Sequence, residues 1–260
     1  MSHRFTRRFF LAAGTAGLMT GCTTTPADQA SSISLDRLIR NQTEARGGAA
    51  ALDRVRSILI DVEIVEGGQT LRGRYAADAS GLVRIDIKAG GNLVYSEGVD
   101  REGVWLWPRS ESAPRPSNAS GAANALTNGA EVHLFGLHRF AERGHRLRLL
   151  PNESLDGTDY PVIEVLFSTG QTSRFYIDPA SWLTSRRRDE RAYHPDVSQS
   201  QKRIETRFSD FRAVEGVVAP HLNVDVDLDS GEVLATARTI SRTINPALPD
   251  GVFERTYTPS

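Results

Sequence analysis

Residues 58–71 read Ile58-Leu59-Ile60-Asp61-Val62-Glu63-Ile64-Val65-Glu66-Gly67-Gly68-Gln69-Thr70-Leu71. Ile58, Ile60, Val62 and Ile64 recur at every second position with Asp61 and Glu63 between them, so an extended backbone presents one apolar and one charged face. Gly67-Gly68 supplies a two-residue hairpin turn into a second strand over 71–76. The signature repeats at 82–87, 93–99 and 103–107, short runs rich in β-branched and aromatic residues separated by glycine-containing turns. Further strands are expected at 145–150, 162–168, 172–177, 183–190, 202–212, 217–229 and 232–243. Strands joined by tight turns pair antiparallel, so the chain predicts a meander.

Helical periodicity is confined to two places. Ser34 can cap a helix whose Leu35, Leu38 and Ile39 fall at i, i+3 and i+4, with Gly47-Gly48 ending it and a further helical turn over 49–55. Residues 108–128, rich in Ser, Asn, Pro, Ala and Gly, read as a long mobile loop. Residues 131–140, Glu131-Val132-His133-Leu134-Phe135-Gly136-Leu137-His138-Arg139-Phe140, read as a helix apolar around most of its circumference, hence buried or lid-like, with Gly129 and Gly136 easing its motion. The segment 244–253, with Pro246 and Pro249, is expected to be irregular.

The N-terminus carries a second message. Arg7-Arg8-Phe9-Phe10-Leu11 resembles a twin-arginine (Tat) export signal, and Met19-Thr20-Gly21-Cys22 resembles the lipobox at which a lipoprotein signal peptide is cleaved and the cysteine acylated. The stretch from Phe9 to Gly21 is too short for a spanning helix, which needs ~20 apolar residues. Cys22 is the only cysteine in the chain. The expected organisation is a signal peptide over 1–21, a lipidated (palmitate-bearing) Cys22 with a polar tether over 22–32, and one domain over 33–260. Thr23, where an Asp would signal retention at the inner membrane, points to the outer membrane facing the periplasm, or to the cytoplasmic membrane in a single-membrane cell.

Removing residues 1–21 takes away three arginines and no acid, shifting the formal net charge from -1 to -4. That balance gives nucleic-acid binding no support. Arg186-Arg187-Arg188 runs straight into Asp189-Glu190 and reads as a solvated, self-neutralising strand face. With Cys22 acylated, no thiol is left for disulfides, metals or nucleophilic chemistry. His133 and His138 lie about 140° apart on a helix and cannot share one ion, no His-Glu-x-x-His occurs, and His145, His194 and His221 stand alone. Asp225, Asp227 and Asp229 mimic a calcium loop but lack its glycine and its final Glu, and read as one solvent-facing strand edge. There is no Gly-x-Ser-x-Gly elbow, Ser96 sits in a strand without a sharp turn, and only Lys88 and Lys202 are lysines. The Tat route is often used by cofactor enzymes, yet no flavin, nicotinamide, haem or molybdenum motif is present. The expectation is a protein that is not an enzyme, with no cofactor and no metal.

Three stretches carry a resemblance: Glu44-Ala45-Arg46-Gly47-Gly48 ahead of Leu52 and Ile58, Tyr176-Ile177-Asp178-Pro179 ahead of Trp182-Leu183, and Gly216-Val217-Val218-Ala219-Pro220 ahead of the last long hairpin, completed by Ile244-Asn245-Pro246 before Phe253. In this order they resemble the LolA/LolB-like lipoprotein-sorting half-barrels. The resemblance implies an α+β, mostly β fold, an antiparallel unclosed barrel with helices plugging its concave face, and an apolar interior that accepts acyl chains. The implied partners are a lipid or lipoprotein acyl chain and, through the anchor, the membrane. Candidate cavity and lid residues are Leu82, Ile85, Val94, Trp105, Trp107, Leu134, Phe135, Leu137, Phe167 and Phe175, with alternation placing Trp105 and Trp107 on one side of their strand. A closed core and a lidded cavity are both compatible with these residues, and the 108–128 stretch favours the lid. Arg46, Arg72, Arg74 and Arg84 read as a solvated face ahead of contacts for acidic headgroups or partner proteins. The functional readings are a lipid carrier first, a non-catalytic scaffold at the outer membrane second, and an exported hydrolase last.

Overall fold

Ser34 opens the first helix as its sequence predicts: α1 (Leu35–Ala45) begins with the Ser34 hydroxyl accepting from the Arg37 amide at 3.3 Å. The computed structural model describes residues 33–259; the expected signal peptide over 1–21 and the expected lipidated Cys22 and tether over 22–32 lie outside the described residues. α1 ends at Gly47 and Gly48, with φ of 112° and 84°, and α2 (Ala49–Leu52) follows. The diagnostic stretch forms β1 (Ser57–Glu66) and β2 (Gln69–Asp78), joined by Gly67 and Gly68 at φ 54° and 76°. Their register pairs Glu66 with Gln69, and the charged face is closed by cross-strand pairs, Arg74 to Asp61 at 2.8 Å and Arg72 to Glu63 at 3.0 Å.

The meander continues through β3 (Val83–Ala89), β4 (Asn92–Asp100), β5 (Gly103–Pro108) and the two-residue β6 (Arg115–Pro116). The chain then forms α3 (Ala122–Leu134) and a 3-10 turn (Leu137–Arg139) before β7 (Arg146–Leu155), β8 (Thr158–Leu166), β9 (Thr172–Ile177), β10 (Thr184–Ala192), β11 (Gln201–Val214), β12 (Val217–Asp227) and β13 (Val233–Ile244). The thirteen strands among the described residues form one antiparallel sheet in the order β6-β5-β4-β3-β2-β1-β13-β12-β11-β10-β9-β8-β7. The sheet does not close: β6 and β7 are its two edges, and it is an open half-barrel. Because β6 and β7 are also consecutive strands, the segment joining them must travel from one edge to the other. α3 and the 3-10 turn make that crossing over the concave face.

Two apolar clusters mark what the crossing covers. Leu126, Ala130 and Leu134 of α3 pack on Ile58, Ile60, Ala77, Val83 and Ile244, with Val62, Tyr75, Ile85, Val99 and Val104 alongside. On the far wing, Leu38 of α1 joins Leu137 and Phe140 over Ile163, Val165, Phe167, Phe175 and Ile177. The turn after β13 clamps the start of β1: Asn245, at φ 51°, accepts from the Arg56 amide at 2.6 Å and donates to the Arg54 carbonyl at 3.0 Å. Residues 246–257 lie irregular over the outer face, where the Arg84 guanidinium donates to the carbonyls of Glu254 and Tyr257 at 3.0 and 2.9 Å.

Several expectations need correction. The stretch 108–128 is not a loop throughout, since it contains β6 and the first half of α3. Ala122, Leu126, Ala130 and Leu134 recur every four residues, a narrow small-residue stripe suited to close helix-on-sheet packing, and alanine is the strongest helix former. The helix expected over 131–140 ends at Leu134: Phe135 is extended (φ −118°, ψ 149°), and Gly136 is a close contact, where a Cβ would lie 2.8 Å from Leu52 Cδ1. Arg186, Arg187 and Arg188 are half-buried, and their main partner is the buried Glu205 of β11, paired with Arg186 at 3.2 Å and Arg188 at 2.7 Å, while Arg187 pairs with Asp189 at 2.9 Å. Asp227 is buried against Lys202 at 2.5 Å and Asp225 accepts from Thr206 at 2.6 Å, leaving only Asp229 exposed. Arg84 is 1% exposed and pairs with Asp86 at 2.8 Å, so it is no solvated side chain.

Candidate functional site

The site lies in the seam between the two apolar wings, where α1, the α3 crossing and strands β11–β13 converge. Arg46 caps α1, and two of the stretches singled out in the sequence meet there: the Val218 amide donates to the Arg46 carbonyl at 2.9 Å, and Gly47 packs directly on the Gly216 backbone. That contact fixes the α1 end against β12 and turns Arg46 toward the crossing, where its Nη1 donates to the Phe135 carbonyl at 3.2 Å. α3 contributes His133, whose ring sits 5.2 Å from the Tyr75 ring. β13 contributes Arg242, opposite the inward-facing Ile60 of β1.

Between them is an apolar cavity of about 70 Å³, lined by Phe135, Leu137, Phe140, Phe175, Phe208 and Phe211 with Gln42, Arg46, His133 and Arg242 at its polar side. A pocket that swallows a drug-sized ligand is ~300–1,000 Å³, so the space as it stands is too small for one. Four polar atoms around this interior are buried without a hydrogen-bond partner among the described residues: Gln42 Oε1, Arg242 Nε, the Tyr75 hydroxyl and Asn223 Oδ1. Burial, reinforced by Arg242, lowers Arg46 to about 10, and burial lowers Arg242 to about 10 as well. Burial first, then Arg242, Arg187 and Arg46, push His133 down to about 3.

The His133 shift has a measurable consequence. The unfolded chain takes up a proton on this histidine near pH 6.5 while the folded chain refuses it until about pH 3. Stability is therefore expected to fall as pH drops through that window, by up to about 1.4 kcal/mol per pH unit, relative to a His133→Gln variant. Urea titrations of both proteins at pH 7, 6 and 5 check this; parallel stability curves would contradict it.

The structure sorts the sequence candidates into three groups. Phe135, Leu137 and Phe175 line the cavity. Leu134, Ile85 and Phe167 stand in the adjoining apolar clusters. Leu82, Trp105, Trp107 and Val94 do not face the interior. Val104 packs under α3, so alternation turns Trp105 and Trp107 to the outer face together. There Trp105 is fully buried beneath Arg84, 5.2 Å from the ring, and Trp107 stacks with Arg109 at 3.6 Å. Leu82 lines an outer groove under residues 246–256, and Val94, at a bulge in the β3–β4 register, is 40% exposed. That groove, about 880 Å³, is larger than the apolar cavity, but it opens between strand ends and the C-terminal segment and is lined by Arg56, Asp78, Asp100 and Glu102 among its polar residues.

Nothing in the sequence singles out Tyr75, Phe208, Phe211 or Arg242; His133 reads there as structural or solvated, and Arg46 as a solvated face or a contact for acidic headgroups or partner proteins. Tyr75 and Phe208 sit at alternating strand positions and carried a periodic signal. Arg242 carried none, because one arginine in a charged strand looks solvated until the partner strands fix which way it points.

Fold and cavity together define a class: an open antiparallel half-barrel, plugged from its concave side by helices that leave an apolar space beneath them. This is the LolA-like architecture. The chain is similar to a LolA superfamily protein from Nitrosomonas europaea, with a TM-score of 0.55 and 17% identity over 85% of this chain and 97% of that one. It is also similar to a DUF1329 family protein from Desulfovibrio piger, with a TM-score of 0.53 and 13% identity over 84% and 96% of the two chains. At these identities the likeness is one of fold. No family model and no curated protein matches the sequence.

Proposed function

We propose that this protein is an exported carrier that shelters an acyl chain of a lipid or lipoprotein in its half-barrel, tethered to the membrane through Cys22. The observation that carries the reading is the phenylalanine-lined cavity beneath a segment that topology forces across the concave face. Each methylene moved from water into such a space contributes ~0.8 kcal/mol, so a chain of a dozen carbons offsets the loss of contacts when the plug shifts. The tripartite organisation read from residues 1–32, the lipobox and Thr23 support an anchor in the outer membrane facing the periplasm. No helix among the described residues is long and apolar enough to cross a membrane. The protein acts by binding and handing on its cargo, without catalysis.

Native mass spectrometry of the chain from Ser31 onward, purified without detergent, tests the reading. A stoichiometric acyl-containing adduct is expected, and Phe135→Asp with Leu137→Asp, which put two charges on the cavity wall, should abolish it. Repeated absence of any adduct, with no uptake of an environment-sensitive lipid probe, would remove the carrier function.

A further inference from the structure

This chain pairs its inward and half-buried arginines with care. Arg84 meets Asp86, Arg186 and Arg188 share Glu205, Arg187 meets Asp189, and Arg255 meets Asp100. Arg109, stacked on Trp107 at the outer face, has no such partner, and neither have Arg46 and Arg242. Both line the apolar cavity, and neither has a carboxylate within pairing reach among the described residues. Arg46 spends one N–H on the Phe135 carbonyl, and Arg242 Nε is buried with no acceptor. The groups facing them do not neutralise them: His133 is held neutral, Tyr75 keeps its proton because burial raises its pKa, and Arg187 is already engaged by Asp189. Two uncompensated cations beside a phenylalanine-lined space are costly to the folded protein on their own.

We infer that Arg46 and Arg242 form a headgroup site for an anionic amphiphile, clamping the oxygens of a carboxylate or a phosphate monoester while its alkyl chain runs past Phe135, Leu137, Phe175 and Phe208. The inference rests on the carrier reading and adds to it the charge of the cargo's head. Guanidinium groups suit the task, because their planar donors match carboxylate and phosphate oxygens bidentately and hold charge at any physiological pH. Charge-assisted hydrogen bonds in an apolar surround discriminate an anion from a neutral isostere by about tenfold or more. The cavity walls themselves offer a neutral head nothing comparable.

The test uses the full lipidated chain in phosphatidylcholine vesicles with three photoactivatable probes of one chain length, a fatty acid, its alkyl phosphate and its alcohol, each bearing a diazirine at the same carbon. Labelled peptides are located by mass spectrometry. Either anionic probe labelling the segments 131–140 and 208–220 at least about tenfold more than the alcohol supports the inference, and the ratio of acid to phosphate identifies the head. Arg242→Gln should lower anionic labelling to the alcohol level and Arg242→Lys should restore part of it; the comparison of probes on the unaltered chain stands even if a variant fails to fold. Equal labelling by acid, phosphate and alcohol would overturn the headgroup site and leave the carrier function intact. Labelling of neither segment by any probe would overturn the carrier function, and the inference with it.

Discussion

Replacing Gly47 with alanine is expected to lower the stability of this protein by about 3–5 kcal/mol. Gly47 holds φ at 112°, a conformation that an L side chain rarely adopts, and that alone costs ~1–3 kcal/mol. The larger effect is spatial. A Cβ on Gly47 would sit 1.9 Å from the Gly216 carbonyl oxygen and 3.0 Å from its carbon, and both are backbone atoms that cannot rotate away. Relief would pull the α1 end from β12, break the 2.9 Å bond from the Val218 amide to the Arg46 carbonyl and displace Arg46 from the cavity. For a domain of this size ~1 kcal/mol moves the midpoint by ~2–4 °C, so a drop of about 10 °C is expected in thermal denaturation. A shift within 2 °C would show that the contact between the two glycines is not a constraint. The neighbouring Gly48 gives the control: its nearest atom is the flexible end of Glu44, 3.5 Å from a built Cβ, so Gly48→Ala should cost only the φ penalty.

Glu131→Ala should cost about 3–5 kcal/mol, through charge instead of space. Glu131, in the last turns of α3, is buried and accepts from three donors in the segment that follows the crossing: Arg143 Nε at 2.5 Å, Arg143 Nη2 at 2.6 Å and His145 Nε2 at 3.1 Å. The Ser168 amide donates to His145 Nδ1 at 3.1 Å, which places the imidazole proton on Nε2, facing the carboxylate. His145 is itself caged between Phe140 and Phe167, with ring centroids 5.0 and 5.2 Å away. Truncating Glu131 leaves the guanidinium of Arg143 over the Phe135 ring without its counter-ion. Burial raises the Glu131 pKa, but the bonds from Arg143 and His145 outweigh it and the net shift is downward. A depressed folded-state pKa contributes stability that is present above the ordinary glutamate range and lost as pH falls through the folded value. Glu131→Gln should therefore flatten the acid limb of the stability curve as well as lowering its plateau. Denaturant melts of the three proteins at pH 7 and pH 4 measure both effects, and an unchanged midpoint for Glu131→Ala would sink the argument. With Asn128, which donates to Gln171 at 2.9 Å, this network ties the crossing to the far wing, so destabilising it should also raise probe uptake into the cavity.

Much of this was legible in the chain order of residues. The alternation in 58–64 with Gly67-Gly68 yields β1 and β2 because a strand's period of two leaves no other face for the apolar residues. The stretches Glu44 to Gly48, Gly216 to Pro220 and Ile244 to Pro246 were recognisable as fold signatures, and the structure supplies their reason: the first two touch, and Asn245 ties the end of β13 to the start of β1. The site was legible only in part. Phe135, Leu137 and Phe175 reach the cavity, whereas Trp105 and Trp107, the most conspicuous apolar pair, belong to the outer face. Period alone states that two residues share a face, never which face is concave.

By itself, then, the sequence determined an antiparallel meander, a capped first helix and a chain whose apolar content must be buried on one side of a sheet. These follow from local rules, in which a residue answers to neighbours within a few positions. Only the tertiary structure decided that β1 pairs with β13, that the segment between β6 and β7 must cross the open face, and that Arg46 and Arg242, 196 positions apart in the chain, line one cavity. Those outcomes depend on curvature and strand order, which arise when the whole sheet pairs, and on which charges are left without partners once every other pair has formed.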